Sequence, residues 1–208
     1  MTVADEKAAA RKAAYARRKT ADPALAETAN RHLEAAVRAA PGKTVSVYWP
    51  IRTEIDPRPT IQALVESHKI GLPVVSGAGQ PLKFRRWVPG AEMEVGAFGA
   101  EIPADPDEVS PDILIVPLAA FSNDGYRLGY GGGFYDRTLE ILRARVPVTA
   151  IGFAYDIQRT ESLPIEPTDQ PLDMIVTETG VRRFQSLLLF EKKPLGASKA
   201  KGGCPPDR

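Results

Sequence analysis

The chain has 208 residues, of which 43% are hydrophobic and 25% charged, and its formal net charge is +1. These proportions are typical of a folded globular protein and exclude a fibrous or a wholly disordered chain. The length suffices for one domain of ordinary size.

The charge is distributed unevenly along the chain. Residues 1–20 carry +4 and residues 192–208 carry +4, so the 171 residues between them carry −7. An acidic body is a poor surface for nucleic acid, and we expect no such partner. No apolar run approaches the roughly 20 residues of a membrane span. With one cysteine, Cys204, and no apolar leader, the sequence predicts a cytoplasmic protein without a membrane partner. A monomer is expected, with a weak homodimer as the alternative.

Helical and strand patterns alternate along the chain. Helices are predicted at 5–19, 23–39, 57–68 and 134–145, and strands at 44–48, 72–75, 82–88, 112–118, 146–153 and 172–177. The segment 90–106 is predicted as a long surface connection, and 181–190 as an apolar element of undefined type. The strand at 112–118 is the most apolar and is therefore predicted to be central.

This alternation predicts an α/β fold. We expect a single three-layer domain over residues 1–190, with a mostly parallel, Rossmann-like sheet flanked by helices. The polar residues 191–208 are predicted to be a disordered tail. Two isolated histidines, His32 and His68, are predicted to be exposed or capping residues rather than catalytic bases.

The first predicted helix has a basic face formed by Lys7, Arg11 and Arg18, with Tyr15 beside them. Composition alone favours a solvated face. The alternative is that Lys7 and Arg11, one helical turn apart, reach the phosphates of a nucleotide.

A second candidate site follows the first predicted strand. Trp49 and Glu54 lie after its end, where open α/β sheets bind ligands, whereas Tyr48 is expected in the core. An aromatic ring followed by a carboxylate suits an aromatic ligand with amide edges.

The most specific stretch is the glycine-rich segment 121–137. Its glycines leave backbone N–H groups uncovered, and the following helix directs the positive end of its dipole to the same place, which predicts an anion cradle. Asp136 and Arg137 add a hard oxygen ligand and a fixed positive charge, so phosphate with Mg²⁺ is the expected ligand. The P-loop pattern Gly-x-x-x-x-Gly-Lys-Ser/Thr is absent from the sequence. The dinucleotide fingerprint does not fit either, because Phe134 stands in place of its last glycine.

Residues 127–137, Arg-Leu-Gly-Tyr-Gly-Gly-Gly-Phe-Tyr-Asp-Arg, resemble the signature of the 5-formyltetrahydrofolate cyclo-ligase family. Other landmarks occur in the family's order over roughly residues 5–180. They are Lys7 and Arg11, Trp49 and Glu54, Phe98-Gly99, and the segment 169–173.

The resemblance implies an ATP- and Mg²⁺-dependent enzyme that converts 5-formyltetrahydrofolate to 5,10-methenyltetrahydrofolate through phosphorylation of the formyl oxygen. A regulatory protein on the same scaffold that binds nucleotide or folate without turnover is the alternative.

The resemblance also implies roles for individual residues. Asp136 and Asp169 are expected to bind the metal, and Arg137 to support catalysis. The folate is expected at Trp49, Glu54, Phe98 and Tyr135. ATP is expected at Lys7, Arg11, Arg127, Leu128, Gly129, Tyr130, Gly131, Gly132, Gly133, Phe134 and Tyr135.

The chain departs from the family's pattern at Tyr130, Gly132 and Thr168, and the motif at 98–103 reads Glu-Ile-Pro where Glu-Pro is commoner. Tyr130 and Gly132 stand where some members have Arg or Lys, so a positive charge on the transferred phosphoryl group is expected from Arg137 or Arg127 instead. Thr168 stands where a histidine often precedes the aspartate.

Overall fold

The computed structural model describes residues 2–184, which form four helices, eleven strands and two short 3-10 helices. The helices are α1 (Val3–Arg18), α2 (Leu25–Ala39), α3 (Arg58–Leu64) and α4 (Phe134–Arg143). The strands are β1 (Thr44–Ser46), β2 (Lys69–Val75), β3 (Leu82–Trp87), β4 (Met93–Val95), β5 (Glu101–Pro103), β6 (Ile113–Pro117), β7 (Ala120–Phe121), β8 (Arg127–Leu128), β9 (Thr149–Phe153), β10 (Met174–Thr177) and β11 (Gly180–Arg183). The 3-10 helices are Ala97–Gly99 and Asp156–Gln158.

Seven strands form the main sheet, in the order β11-β10-β9-β6-β1-β2-β3. The five inner strands are parallel, whereas β3 and β11 pair antiparallel at the two edges. The predicted mostly parallel sheet is confirmed, and β6 is its middle strand, as its apolar sequence predicts.

Alternating residues of the strands face two separate cores. Ile113 and Ile115 of β6 pack into the core that includes α2 and α3, whereas Leu114 and Val116 pack with Leu139 of α4. Because side chains alternate across a strand, a fully apolar β6 requires helices on both faces. The three-layer architecture is thereby confirmed.

Helix α1 belongs to a smaller apolar cluster, where Ala14 packs with Ala119, Ala120 and Leu128. The helix begins with a capping box, in which Thr2 and Asp5 satisfy each other's backbone N–H groups. Its position beside β7 and β8 brings its basic side chains to the end of the sheet where β6 terminates.

The structure corrects several sequence predictions. The segment 90–106 is not a plain loop, because β4 and β5 pair there as a hairpin around the helix Ala97–Gly99. A hairpin of β7 and β8 also separates the central strand from the glycine run. His68 is only 8% exposed, so its predicted exposure is wrong, and burial lowers its pKa.

Several element boundaries also differ. The helix predicted at 57–68 ends at Leu64, and β2 begins at Lys69 rather than at 72. The strand predicted to start at 146 begins at Thr149, after Pro147, which cannot donate to the sheet. The strand predicted to start at 172 begins at Met174, and the Leu172 N–H donates to the Gly125 carbonyl outside the sheet. Within 181–190, β11 ends at Arg183. Residues 185–190 and the predicted tail lie outside the described residues.

Within residues 2–184, no helix combines the length and the apolar character that crossing a membrane requires.

Candidate active site

A cavity of about 820 Å³ opens at the carboxyl ends of the parallel strands. Its volume lies in the usual range for small-molecule sites. All of the site residues predicted from sequence line it: Lys7, Arg11, Trp49, Glu54, Phe98, Arg127, Leu128, Gly129, Tyr130, Gly131, Gly132, Gly133, Phe134, Tyr135, Asp136, Arg137 and Asp169.

The glycine loop lies between β8 and α4. Gly131 has a φ of 101° and Gly133, the residue before α4, a φ of 63°, both in the left-handed region that favours glycine. A side chain at Gly131 would also crowd the Arg11 guanidinium, which donates from Nε to the Gly129 carbonyl at 2.8 Å. The loop therefore presents peptide groups and a cation together, the arrangement that binds phosphate.

Lys7 does not belong to a solvated basic face. Its ammonium donates to Asp169 at 2.6 Å and to Glu166 at 2.7 Å, and its side chain is almost fully buried. Burial by itself lowers the pKa of Lys7, but the two carboxylates outweigh it and the net shift is upward. Arg18 is buried as well, so the interpretation of a solvated face is wrong for these two residues.

A second buried cation, Arg127, fixes the other predicted metal ligand. Its side chain is 4% exposed, and its guanidinium donates to Asp136 Oδ1 at 2.8 Å and to the Gln170 carbonyl at 2.6 Å. The Gln170 N–H donates to the same Asp136 oxygen. Burial lowers the pKa of Arg127 and Asp136 opposes that shift. Asp136 and the segment that carries Asp169 are thus held together.

Asp136 and Asp169 both have the chemistry of a magnesium ligand. Among residues 2–184, Asp136 Oδ2 and Asp169 Oδ1 accept no hydrogen bond, so each carboxylate keeps one oxygen for a ligand. No cluster of three or more His, Cys, Asp or Glu side chains suited to a metal occurs in that part of the chain. Mg²⁺ characteristically binds one or two carboxylates together with water and substrate phosphates, which matches this incomplete set.

Of the two arginines predicted to contact the phosphoryl group, Arg137 has fewer contacts with protein acceptors than Arg127. Its guanidinium contacts the Gly132 carbonyl and stands 5.5 Å from the centre of the Phe134 ring. In the described part of the chain it forms no ion pair, unlike Arg127.

The predicted folate carboxylate, Glu54, lies in the same cavity. Its Oε2 accepts the Ile51 N–H at 2.9 Å and its Oε1 accepts the Tyr130 hydroxyl at 2.6 Å. Burial raises the pKa of Glu54, and these two hydrogen bonds oppose the shift. Within residues 2–184 no cation forms an ion pair with Glu54.

Aromatic side chains complete this part of the cavity. Trp49 packs on Trp87 at 6.3 Å between ring centroids, and Phe98 meets Phe134 edge-on at 6.1 Å. Phe98 is 74% exposed and has a left-handed φ of 60°, unusual for a non-glycine residue. Tyr48 is in the core, as predicted, with its hydroxyl donating to the Ile55 carbonyl.

Tyr135 contributes a buried hydroxyl that has no hydrogen-bond partner within the described residues. Burial raises its pKa, so the group stays a phenol and can donate to a ligand.

Sequence reasoning missed Glu166, which shares Lys7 with Asp169 and lines the cavity. Its backbone N–H also donates to Asp169 Oδ2 at 2.8 Å, which closes a tight loop. The spacing of three residues between Glu166 and Asp169 is only a weak indication that the two acids act together. Only the approach of α1 reveals their common partner.

A profile of the 5-formyltetrahydrofolate cyclo-ligase family matches residues 4–178. The chain belongs to this family. It is accordingly a ligase, as the signature at 127–137 predicts.

Individual members of the family show the same similarity. The 5-formyltetrahydrofolate cyclo-ligase of Escherichia coli K12 is 38% identical over 146 residues, which cover 66% of this chain and 79% of that protein. The cyclo-ligase of Haemophilus influenzae is 38% identical over 144 residues, covering 64% and 75%.

Solved structures agree in fold. The NMR structure of Aquifex aeolicus 5,10-methenyltetrahydrofolate synthetase superposes with a TM-score of 0.71 at 31% identity, covering 90% of this chain and 98% of that one. The Mycoplasma pneumoniae synthetase, at 24% identity and a TM-score of 0.64, supports the fold alone.

Proposed function

We propose that the protein catalyses the ATP- and Mg²⁺-dependent cyclisation of 5-formyltetrahydrofolate to 5,10-methenyltetrahydrofolate, with release of ADP and phosphate. The observation that supports it most is a single cavity that contains both an anion cradle with its cations and a partly buried carboxylate among aromatic rings. Transfer between two substrates requires that both bind in one enclosed space.

The chemistry proceeds in two steps. The formyl oxygen attacks the γ-phosphorus of ATP, and the bond from that phosphorus to the bridging oxygen breaks to release ADP. N10 of the folate then attacks the activated formyl carbon, the carbon–oxygen bond breaks, and phosphate leaves with that oxygen while N10 loses its proton. Such transfer depends on positioning and charge neutralisation more than on covalent help from the protein.

The nucleotide end of the cavity supplies that neutralisation. The peptide N–H groups at 131–133 and the start of α4 bind the phosphate oxygens, with Lys7 and Arg11 beside them. Asp136 Oδ2 and Asp169 Oδ1 would hold Mg²⁺, whose charge offsets that of the phosphates. Because Arg127 already binds Asp136, its role is to fix that carboxylate, and Arg137 serves the transferred phosphoryl group.

The remaining residues orient the folate. Glu54 accepts N–H groups of the pterin, and Trp49 and Phe98 pack against its rings. The buried Tyr135 hydroxyl donates to a polar atom of the substrate. This bond satisfies a hydroxyl that has no hydrogen-bond partner within residues 2–184.

The decisive experiment mixes purified protein with 5-formyltetrahydrofolate, ATP and Mg²⁺ and follows the methenyl chromophore and ADP together. We expect stoichiometric formation of both, and neither without ATP. Binding of both ligands without chromophore above the ATP-free control would instead indicate the non-catalytic binding protein. The cytoplasmic location and the monomeric state stay predictions.

A further inference from the structure

We propose that Tyr130 is a positioning residue that couples the nucleotide loop to the folate carboxylate, so that ATP and folate each strengthen the binding of the other. The inference rests on the proposed function, since it assigns ATP to the glycine loop and folate to Glu54. It concerns a position where this chain has a tyrosine in the middle of the glycine run.

Tyr130 is held by two side chains from other parts of the chain. Its hydroxyl donates to Glu54 Oε1 at 2.6 Å, and its ring stacks on Tyr15 of α1 with centroids 5.9 Å apart and planes at 28°. The residue is 41% exposed, so these two contacts add to partial burial in fixing its conformation. A hydrogen bond to an ionised carboxylate is stronger than one between two neutral groups. A shift of Tyr130 is therefore expected to move Glu54 with it.

The hydrogen bond from Tyr130 orients Glu54 for a ligand. A carboxylate has about four acceptor positions, and the Ile51 N–H and the Tyr130 hydroxyl occupy one on each oxygen. One position per oxygen remains, which suits two adjacent N–H groups of a planar ligand. Without Tyr130 the Oε1 atom loses its only hydrogen bond within residues 2–184, and the carboxylate can rotate out of that orientation.

The peptide groups on both sides of Tyr130 belong to the anion cradle. Arg11 binds the Gly129 carbonyl on one side, and its guanidinium lies beside Gly131 on the other. A nucleotide that orders these peptide groups also orders the Tyr130 hydroxyl, and therefore Glu54. Thermodynamic linkage requires the reverse effect to be equal, so folate at Glu54 orders the loop for the nucleotide.

The test measures this coupling by calorimetry. The dissociation constant of the β,γ-imido analogue of ATP, with Mg²⁺, is measured without and with saturating 5-formyltetrahydrofolate. We expect the wild-type protein to bind the analogue about tenfold more tightly with folate present, within the usual range of coupling between sites. The ratio of the dissociation constants without and with folate should fall to about one to two in Tyr130→Phe. The affinity for the analogue alone should change by no more than about threefold.

Tyr15→Phe is the matched control. It removes a phenol hydroxyl from the other ring of the same stack, and that hydroxyl takes part in no hydrogen bond within residues 2–184. The wild-type ratio should persist in it. Because the Tyr130 hydroxyl makes a single side-chain hydrogen bond within residues 2–184 and phenylalanine keeps the stack, Tyr130→Phe should unfold close to the wild-type temperature.

Each outcome separates the inference from the proposed function. If the wild-type protein binds neither ligand, the proposed function fails. If both ligands bind but the ratio is near one in the wild type, or the same in Tyr130→Phe as in the wild type, the coupling role is overturned while the proposed function stands. Loss of the ratio in Tyr15→Phe to the same extent would assign it to the ring stack instead, and would equally overturn a role for the hydroxyl.

Discussion

The two ends of the cavity hold their carboxylates in opposite ways. At the proposed nucleotide end, Asp169 and Asp136 are bonded to the buried cations Lys7 and Arg127. At the proposed folate end, Glu54 accepts hydrogen bonds from neutral donors, a tyrosine hydroxyl and a backbone N–H. Direct ion pairs therefore neutralise the carboxylates at one end, whereas at the other Glu54 forms no ion pair within residues 2–184 and is influenced by Arg18 and Arg52 only from beyond contact distance. Removing a side chain should disturb both fold and chemistry at the first end, but mainly binding at the second.

The largest effect is expected for Asp136→Asn. Loss of a proposed metal ligand should lower kcat by about 10²–10³-fold, the usual effect of removing one preorganised charge-stabilising group. The buried Arg127 also loses its counter-charge, so unfolding should become easier by about 1–3 kcal/mol, between the values for exposed and buried ion pairs. Steady-state kinetics and denaturant unfolding measure the two effects separately.

Asp173→Asn is the matched control for that variant. Asp173 pairs with Arg143 of α4 at 2.9 Å with similar burial, but it does not line the cavity. It should lose comparable stability and keep its turnover. Full activity in Asp136→Asn would show that the metal assignment is wrong.

The next largest effect is expected for Lys7→Met. The KM for ATP should rise about 10- to 100-fold, since hydrogen bonds to charged groups contribute about 1.5–3 kcal/mol. The melting temperature should fall too, because Asp169 and Glu166 are left side by side without their cation. Lys12→Met, on the exposed side of the same helix, should change neither quantity, and equal effects in both variants would contradict a specific role for Lys7.

Glu54→Ala should act mainly on folate. The KM for 5-formyltetrahydrofolate is expected to rise about tenfold with little change in kcat, if the contact is equally strong in the ground and transition states. Unlike the variants of Asp136 and Lys7, it breaks no ion pair within residues 2–184, so its stability should not fall as theirs does. Glu66→Ala, an exposed acid on the segment after α3, serves as the control. An unchanged KM in Glu54→Ala would show that Glu54 does not bind the folate.

The smallest effect is a change in stability with pH for Glu54→Gln. Burial raises the pKa of Glu54 above its unfolded value near 4.5, so ionisation is less favourable in the folded protein. The stability of the wild type therefore declines as pH rises from about 4.5 through the raised pKa. The variant should be the more stable protein at pH 7, with its advantage vanishing below pH 4.5. Denaturant unfolding across this range measures it, and an advantage independent of pH would point to another cause.

Local patterns made much of the fold predictable. The alternation of helices and strands and the apolar run of β6 determine a covered parallel sheet, because each reflects a periodicity within one segment. The hairpin of β4 and β5 was missed because its glycines and prolines indicate a loop, and its strand pairing depends on residues several positions apart. The buried state of Lys7 was missed because a basic helix face has the same composition whether or not acids cover it.

The sequence by itself determined the family, the glycine loop and the types of residue that line the site. Only the tertiary structure decided which of them meet. Lys7 bonds to Asp169 across 162 positions, and Tyr130 to Glu54 across 76, contacts that no local period encodes. The Tyr130 contact forms because the chain segments that follow the parallel strands meet at one edge of the sheet. The Lys7 contact forms because α1 packs beside β7 and β8 at that same edge. The sheet thereby gives the glycine loop two aspartates paired with buried cations, the proposed metal ligands, on one side and a tyrosine contact to Glu54, the proposed folate carboxylate, on the other.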